Sequence, residues 1–418
     1  MGTMAACTKV LMGDDVMITK LYSNYVYKAR LKNAFIVAGI YLDFKKGDTP
    51  VRRFPSIGAF HNKKDCLEYV FYLPQGLNPE EIEKNGYVFA QTFGKNHELQ
   101  GDGLKYTLKV FKKELAEKIN FDLAEIEKRM SNKKMIVPIV AGYDALGNLL
   151  MYDMAPDPNL LIAGETGSGK SVMLKAILIS LMLFRRGEIE YYLADLKMAQ
   201  FHLYRNCEDV KTVDVEPEAV FKTLKKLEAE LKTRCKIFDK YEVEDITEYN
   251  QLKGVEKKKP IIFCLDEVVI LKGNTKAMAI IEKIVSLGRA CLMFVIFSVQ
   301  RPDAKIFDGA IKANLTVRYA FRHADKTNSN ITLGSDSGVD ASKIRKSQKG
   351  KFYMRHDETI LLKAPIVEKE EAKELLKPLK KIPIPDEVPE NVDQTEPVES
   401  EFDVEVTDLT LPGSEDVE

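Results

Sequence analysis

The chain has 418 residues, 45% of them hydrophobic, with no Trp and a formal net charge of -1, which is too long for one minimal core and fits two or three domains. Thirteen acids and no base fall in 386–418, so residues 1–385 hold 62 Lys and Arg against 50 Asp and Glu, a basic balance that suits a polyanionic partner. Six Cys without CxxC spacing and five His without ligand spacing read as reduced cytosolic thiols and packing or surface residues rather than a zinc site or a disulfide frame, and no signal-peptide pattern is seen.

Residues 1–135 read as a small mixed α/β module for assembly or partner binding. Within it Tyr25–Phe44 looks strand-like, Asn78–Glu83 looks like a helix start after Pro79, and Gly103–Phe121 runs into a charged helical stretch. Phe121–Lys134 has the spacing of an amphipathic helix ending in a basic linker. From Ile136 the pattern changes, starting with a hairpin around Gly147-Asn148. Apolar strands follow at 159–163, 189–194, 210–215, 260–265, 292–298 and 315–321, with helices at 171–184, 217–241 and 274–287. Strands joined by helices imply an α/β domain over 136–367, built on a mostly parallel sheet covered on both faces. The longest apolar run, Val172–Phe184, is broken by Lys175 and reads as a buried helix, not a membrane span. A short charged helix and an acidic tail complete 368–418; the tail has too few large apolar groups to offset the entropy of ordering and reads as disordered.

Two segments carry chemistry. LLIAGETGSGKS, Leu160–Ser171, is a strand, a Gly-rich turn and a helix start. Gly164, Gly167 and Gly169 let the backbone turn and present amides to phosphate, along a cradle formed by Gly164, Glu165, Thr166, Gly167, Ser168, Gly169, Lys170, Ser171 and Val172. Lys170 is placed to reach the β and γ phosphates of ATP, and Ser171 to put its hydroxyl on Mg2+. The second, KKPIIFCLDEVVI, ends a buried strand in Asp266-Glu267: one carboxylate to hold the magnesium and one to polarise the attacking water. Gln300, ending the strand CLMFVIFSVQ, is a candidate contact to the γ-phosphate or the lytic water; Asp195 and Lys197 follow another strand on what is expected to be the same edge.

Beyond the phosphate loop, the ADLK of Ala194–Lys197, the FCLDEV of Phe263–Val268, the QRP of Gln300–Pro302 and the IKAN of Ile311–Asn314 with an arginine-bearing strand after it resemble the motor domain of the FtsK/SpoIIIE family of DNA translocases, over roughly Val137–Pro365. The resemblance implies a RecA-like core that assembles as a ring, usually of six, encloses double-stranded DNA and pumps it by ATP hydrolysis with little sequence preference. It also implies an arginine given by one subunit to its neighbour's γ-phosphate, with Arg289 and Arg318 as the two candidates. The chain departs from the family pattern in KTNSNITLGSDSGVD, where Asn328 and Asn330 replace charged groups, and its substrate choice is not expected to rest on the multi-pass membrane anchor or the C-terminal winged-helix module of chromosome-segregating members.

The shorter FtsK-like proteins of conjugative elements and plasmids fit this layout, which implies DNA transfer, a cytoplasmic location, and recruitment to the membrane through a channel or a relaxase. Two alternatives stay open: an ATPase of a protein-export system, and a nucleotide-dependent assembly scaffold. Phosphate contacts on the DNA track are expected from Lys305 and Lys312 and from the denser run Lys343, Arg345, Lys346, Lys349 and Lys351, which reads as a loop.

Overall fold

Leu31, Ala34, Phe35 and Ala38 recur at i, i+3, i+4 and i+7, and in the computed structural model residues 24–38 form a helix, α1, that buries this face. The strand reading of Tyr25–Phe44 is thereby corrected over most of its length, because helical spacing outweighs the β-branched content; only its end, β1 (Leu42–Lys46), is extended. The structure describes residues 24–381, apart from 47–48, 65, 95–96, 113–117, 133, 199 and 308, and the tail at 386–418 lies outside them.

β1 pairs with β2 (Thr49–Arg53) as a separate antiparallel hairpin. Next come β3 (Ser56–Asn62), β4 (Cys66–Tyr72), α2 (Glu80–Lys84), α3 (Gly86–Phe93), β5 (His97–Asp102) and β6 (Lys105–Phe111). The four later strands form an antiparallel sheet in the order β3-β4-β6-β5, packed on α1 and α3 through Phe35, whose ring lies 5.0 Å from that of Phe71 and 6.2 Å from that of Phe89. β6 corrects the helical reading of Gly103–Phe121: Tyr106, Leu108 and Val110 are buried and alternate with more exposed Lys105, Thr107 and Lys109, a period of two.

The second and larger sheet begins after α4 (Leu123–Met130), which is capped by Asp122 accepting from the Glu125 amide at 3.0 Å. Its elements run β7 (Pro138–Tyr143), β8 (Leu149–Asp153), β9 (Leu160–Ala163), α5 (Lys170–Phe184), β10 (Glu190–Asp195), β11 (Val210–Asp214), α6 (Pro217–Tyr241), α7 (Ile246–Tyr249) and β12 (Ile261–Asp266). They continue with α8 (Thr275–Cys291), β13 (Met293–Val299), α9 (Gly309–Ala313), β14 (Val317–Phe321), α10 (Lys326–Leu333), β15 (Lys351–Arg355), β16 (Thr359–Lys363) and α11 (Lys369–Leu376). The strand order is β11-β10-β12-β13-β9-β14-β15-β16-β7-β8. The first six are mutually parallel; the last four form an antiparallel wing.

The pleat sorts the core. Leu160 and Ile162 of β9 point to one face, against α4, α5 and α11, while Leu161 and Ala163 point to the other, against α6 and α8. Both faces are covered, so the central parallel strands β9, β12 and β13 are apolar runs, and polar groups concentrate where the strands end. Among the described residues no helix is long and apolar enough to cross a membrane.

Candidate nucleotide site

β9 lies between β13 and β14, and at its carboxyl end the chain turns through Gly164–Gly169 into α5. Two glycines show why the turn takes no other residue. Gly169 has φ +118, and a Cβ there would stand 2.8 Å from the Gly350 Cα; Gly167 has φ +77 and faces open space. The loop is strapped from outside: the Gly350 amide donates to the Ser168 carbonyl at 2.8 Å, and the Gly350 carbonyl accepts from the Ala364 amide at 2.8 Å.

Lys170, in the first turn of α5, is 8% exposed and donates to the carbonyls of Gly164 and Glu165. Burial brings its ammonium down to about 8, against the opposing pull of Asp266 and Glu267. Asp266 ends β12 in register with Asp195 of β10 and Ser298 of β13, one row across the carboxyl edge. Burial pushes its carboxyl up, and its Oδ2 has no hydrogen-bond partner. An anionic oxygen with an open lone pair, on the wall of a cavity that Ser171 also lines, is a donor set of the kind magnesium takes.

Glu267 stands in the left-handed region at φ 61, ψ 59, held there by its own amide donating to the Ser298 carbonyl at 2.7 Å. Its carboxylate meets Lys197 Nζ at 2.6 Å and accepts from the Gln300 amide at 3.0 Å. The structure thus brings Lys170, Ser171, Asp266 and Gln300 to the wall of one cavity of about 450 Å³ with Thr166, Gly167, Gly169, Val172 and Lys197, and sets Glu267 beside it through Lys197.

A neighbouring cavity of about 540 Å³ shares Thr166, Gly167, Gln300 and Lys349 and adds Glu165, Ser168, Arg301, Arg322, His323, Arg345 and Lys346. Arg345, Lys346 and Lys349, expected along a DNA track, therefore face the phosphate loop. Arg322 and His323 escape the sequence reading. Arg322 pairs with the Glu165 carboxylate, while the Glu165 amide donates to the Arg322 carbonyl at 2.8 Å. His323 is 1% exposed, 3.0 Å from the Thr332 hydroxyl, and burial lowers its ring to about 4. Both directly follow the end of β14, so counting from strand ends, as for Gln300, finds them.

The two candidate arginines lie away from this cluster, toward the amino ends of the strands. Arg318 is paired in register with Leu161, near the start of β14, and donates to the carbonyls of Leu315 at 2.9 Å and Lys312 at 2.8 Å. Arg289 is exposed in the last turn of α8. Beside it Gly288 lets α8 close on β13, since a Cβ there would stand 2.0 Å from the Met293 carbonyl oxygen.

Residues 123–287 match the FtsK/SpoIIIE family. A DNA translocase FtsK of Helicobacter pylori (strain J99) is 32% identical over 205 residues, 47% of this chain and 24% of that protein. One from Treponema pallidum is 30% identical over 213 residues, 48% of this chain and 26% of that protein. The matches span about a quarter of these curated relatives. Among solved structures, the pCW3 conjugation coupling protein TcpA, in monomer form with ATPgS, superposes with a TM-score of 0.56 at 24% identity, over 78% of this chain and 94% of that one. The cytoplasmic domain of the Thermomonospora curvata type VII secretion ATPase EccC reaches 0.53 at 20% identity, over 59% of this chain and 31% of that one. At these identities the likeness is one of fold, and it agrees with the α/β, RecA-like core expected from the sequence.

Proposed function

Because this chain carries an FtsK/SpoIIIE family ATPase domain, we propose that it is an ATP-driven DNA translocase, working as a ring and serving transfer of a mobile element or plasmid. The observation that carries the catalytic half is the row of strand ends: phosphate loop, Asp266 and Gln300 on neighbouring strands around one cavity, with Glu267 beside it through Lys197. In this reading the amides of Gly164–Gly169 and Lys170 hold the β and γ phosphates, and Ser171 with the open oxygen of Asp266 holds magnesium. Magnesium, when bound, supplies positive charge against that developing on the transferred phosphoryl group. Glu267 accepts a proton from the attacking water, and Gln300 orients it.

The trans cation is Arg289, exposed on α8, and not Arg318, whose guanidinium is engaged with carbonyls of its own chain. Phosphate contacts indifferent to sequence suit a double-stranded DNA track, and a membrane channel or relaxase would hand the DNA on. The test is the ATPase rate of the purified protein alone, with linear double-stranded DNA and with single-stranded DNA. Stimulation by DNA is expected, with Lys170→Ala lowering the rate roughly 100-fold or more. A Lys170-dependent rate that no DNA stimulates would overturn the translocase and move the reading to polypeptide export.

A further inference from the structure

Hydrolysis as proposed needs the Glu267 carboxylate free to take a proton, and in this structure it is engaged. Lys197 Nζ lies 2.6 Å from Oε2, and the side chains are only 29% and 11% exposed, so this is not a solvent-screened surface pair. An ammonium at that distance occupies the carboxylate oxygen that an attacking water would have to reach. The Gln300 amide adds a second donor at 3.0 Å.

The two partners are held differently. Glu267 is fixed at its backbone, in a left-handed conformation uncommon for a residue with a Cβ, a strain of the kind found at switch positions. Lys197 sits within a turn closed by Asp195, whose Oδ2 accepts from the backbone amides of Gln200 and Phe201 at 2.8 Å each. Its flexible four-carbon arm is the movable part, and it lines the same cavity as Lys170, Ser171 and Asp266. A terminal phosphate arriving there brings more negative charge than one carboxylate and competes for the Lys197 ammonium.

We infer that Lys197 is a latch responsive to the γ-phosphate: without nucleotide its ammonium holds Glu267, and ATP draws it away, releasing the carboxylate for the attacking water. Lys197 is thus a positioning residue, and only a nucleotide with a terminal phosphate at that point exchanges its partner; ADP does not. The inference rests on the reading of the site as an ATP hydrolase.

The test measures dissociation constants of a slowly hydrolysed ATP analogue and of ADP, with magnesium, on the full chain and on Lys197→Met, Glu267→Gln and the double variant. Glu267→Gln frees the lysine and should tighten the ATP analogue roughly fivefold to tenfold with ADP little changed. Lys197→Met should weaken the analogue by a similar factor, again sparing ADP, and the double variant should show none of the Glu267→Gln tightening. The ATP-to-ADP ratio within each variant is read independently of any loss of folded protein. Tightening that persists in the double variant reports only removal of a negative charge, and the latch is wrong. Equal changes for both nucleotides mark a merely structural ion pair and overturn the latch as well. A wild-type chain that binds neither nucleotide overturns the hydrolase reading along with the latch, whereas ordinary ATP binding with an unaltered ratio across the variants overturns the latch alone.

Discussion

At the amino edge of the parallel strands Asn159 is 1% exposed, donates to the carbonyls of Val285 at 3.1 Å and Asn314 at 3.0 Å, and accepts from the Val295 amide at 2.9 Å. Arg318 on the same edge is tied to two carbonyls. At the carboxyl edge the buried oxygens Asp266 Oδ2 and Ser168 Oγ have no partner, Lys170 and His323 are held below their ordinary ranges, and Glu267 keeps a strained backbone. One sheet therefore separates two tasks. Asn159 and Arg318 at the amino edge are matched and contribute stability; several polar groups at the carboxyl edge are left unmatched, at some cost, where a ligand can complete them.

Substitutions at the two edges should sharpen that contrast, and Asn159→Ala should have the largest effect. It leaves two carbonyls and an amide without their partner and puts a Cβ residue with no local hydrogen bond at φ 63, so a loss of about 3 kcal/mol is expected by chemical denaturation. A loss under about 1 kcal/mol would break the comparison.

His323 tests the other edge through pH. Its folded value of about 4 lies below the unfolded one, so the unfolded chain binds the extra proton first; the stability it contributes is present above about 6.5 and is lost as pH falls toward 4. His323→Asn should remove about 2 kcal/mol of the acid-dependent loss between pH 7 and 4.5. Melting curves across that range check it, and Asn159→Ala should show no such relief.

The arginines give the smallest stability effects and the clearest division. Arg318→Ala should cost about 1–2 kcal/mol of stability, from two carbonyls left without a donor, while sparing hydrolysis per folded molecule. Arg289→Ala should change stability by less than about 0.5 kcal/mol, because the side chain is exposed, and yet lower hydrolysis in the assembled protein. The reverse pattern in paired melting and rate measurements would exchange their roles.

The Asp266-Glu267 pair and the phosphate loop are legible in the sequence because each is local: an apolar run, a Gly-rich turn and a helix in one stretch, or a strand ending in two acids. The bounds of α6 can be read as well, since Pro217 opens it and its apolar spacing persists to Tyr241. What escapes depends on contacts between distant residues. Lys197 and Glu267 are 70 positions apart, Glu165 and Arg322 are 157 apart, and no periodicity in either segment announces the partner. β15 and β16 are hidden because the basic run before them looks like a loop, and it is one up to Gly350, where the chain becomes a strand. α1 looks like a strand because β-branched and aromatic residues cluster at its two ends, Tyr25–Tyr27 and Phe35–Val37, while its burial follows a helical period.

The strap from Gly350 bears on how chemistry could become motion. Its amide holds Ser168 and its carbonyl is held by Ala364, so the phosphate loop and the end of the β15–β16 hairpin form one hydrogen-bonded piece. A ligand that reshapes the loop must carry that hairpin with it or break a bond at 2.8 Å, and the hairpin continues through β16 into β7. The antiparallel wing is in that sense a lever whose short arm ends on the phosphate loop.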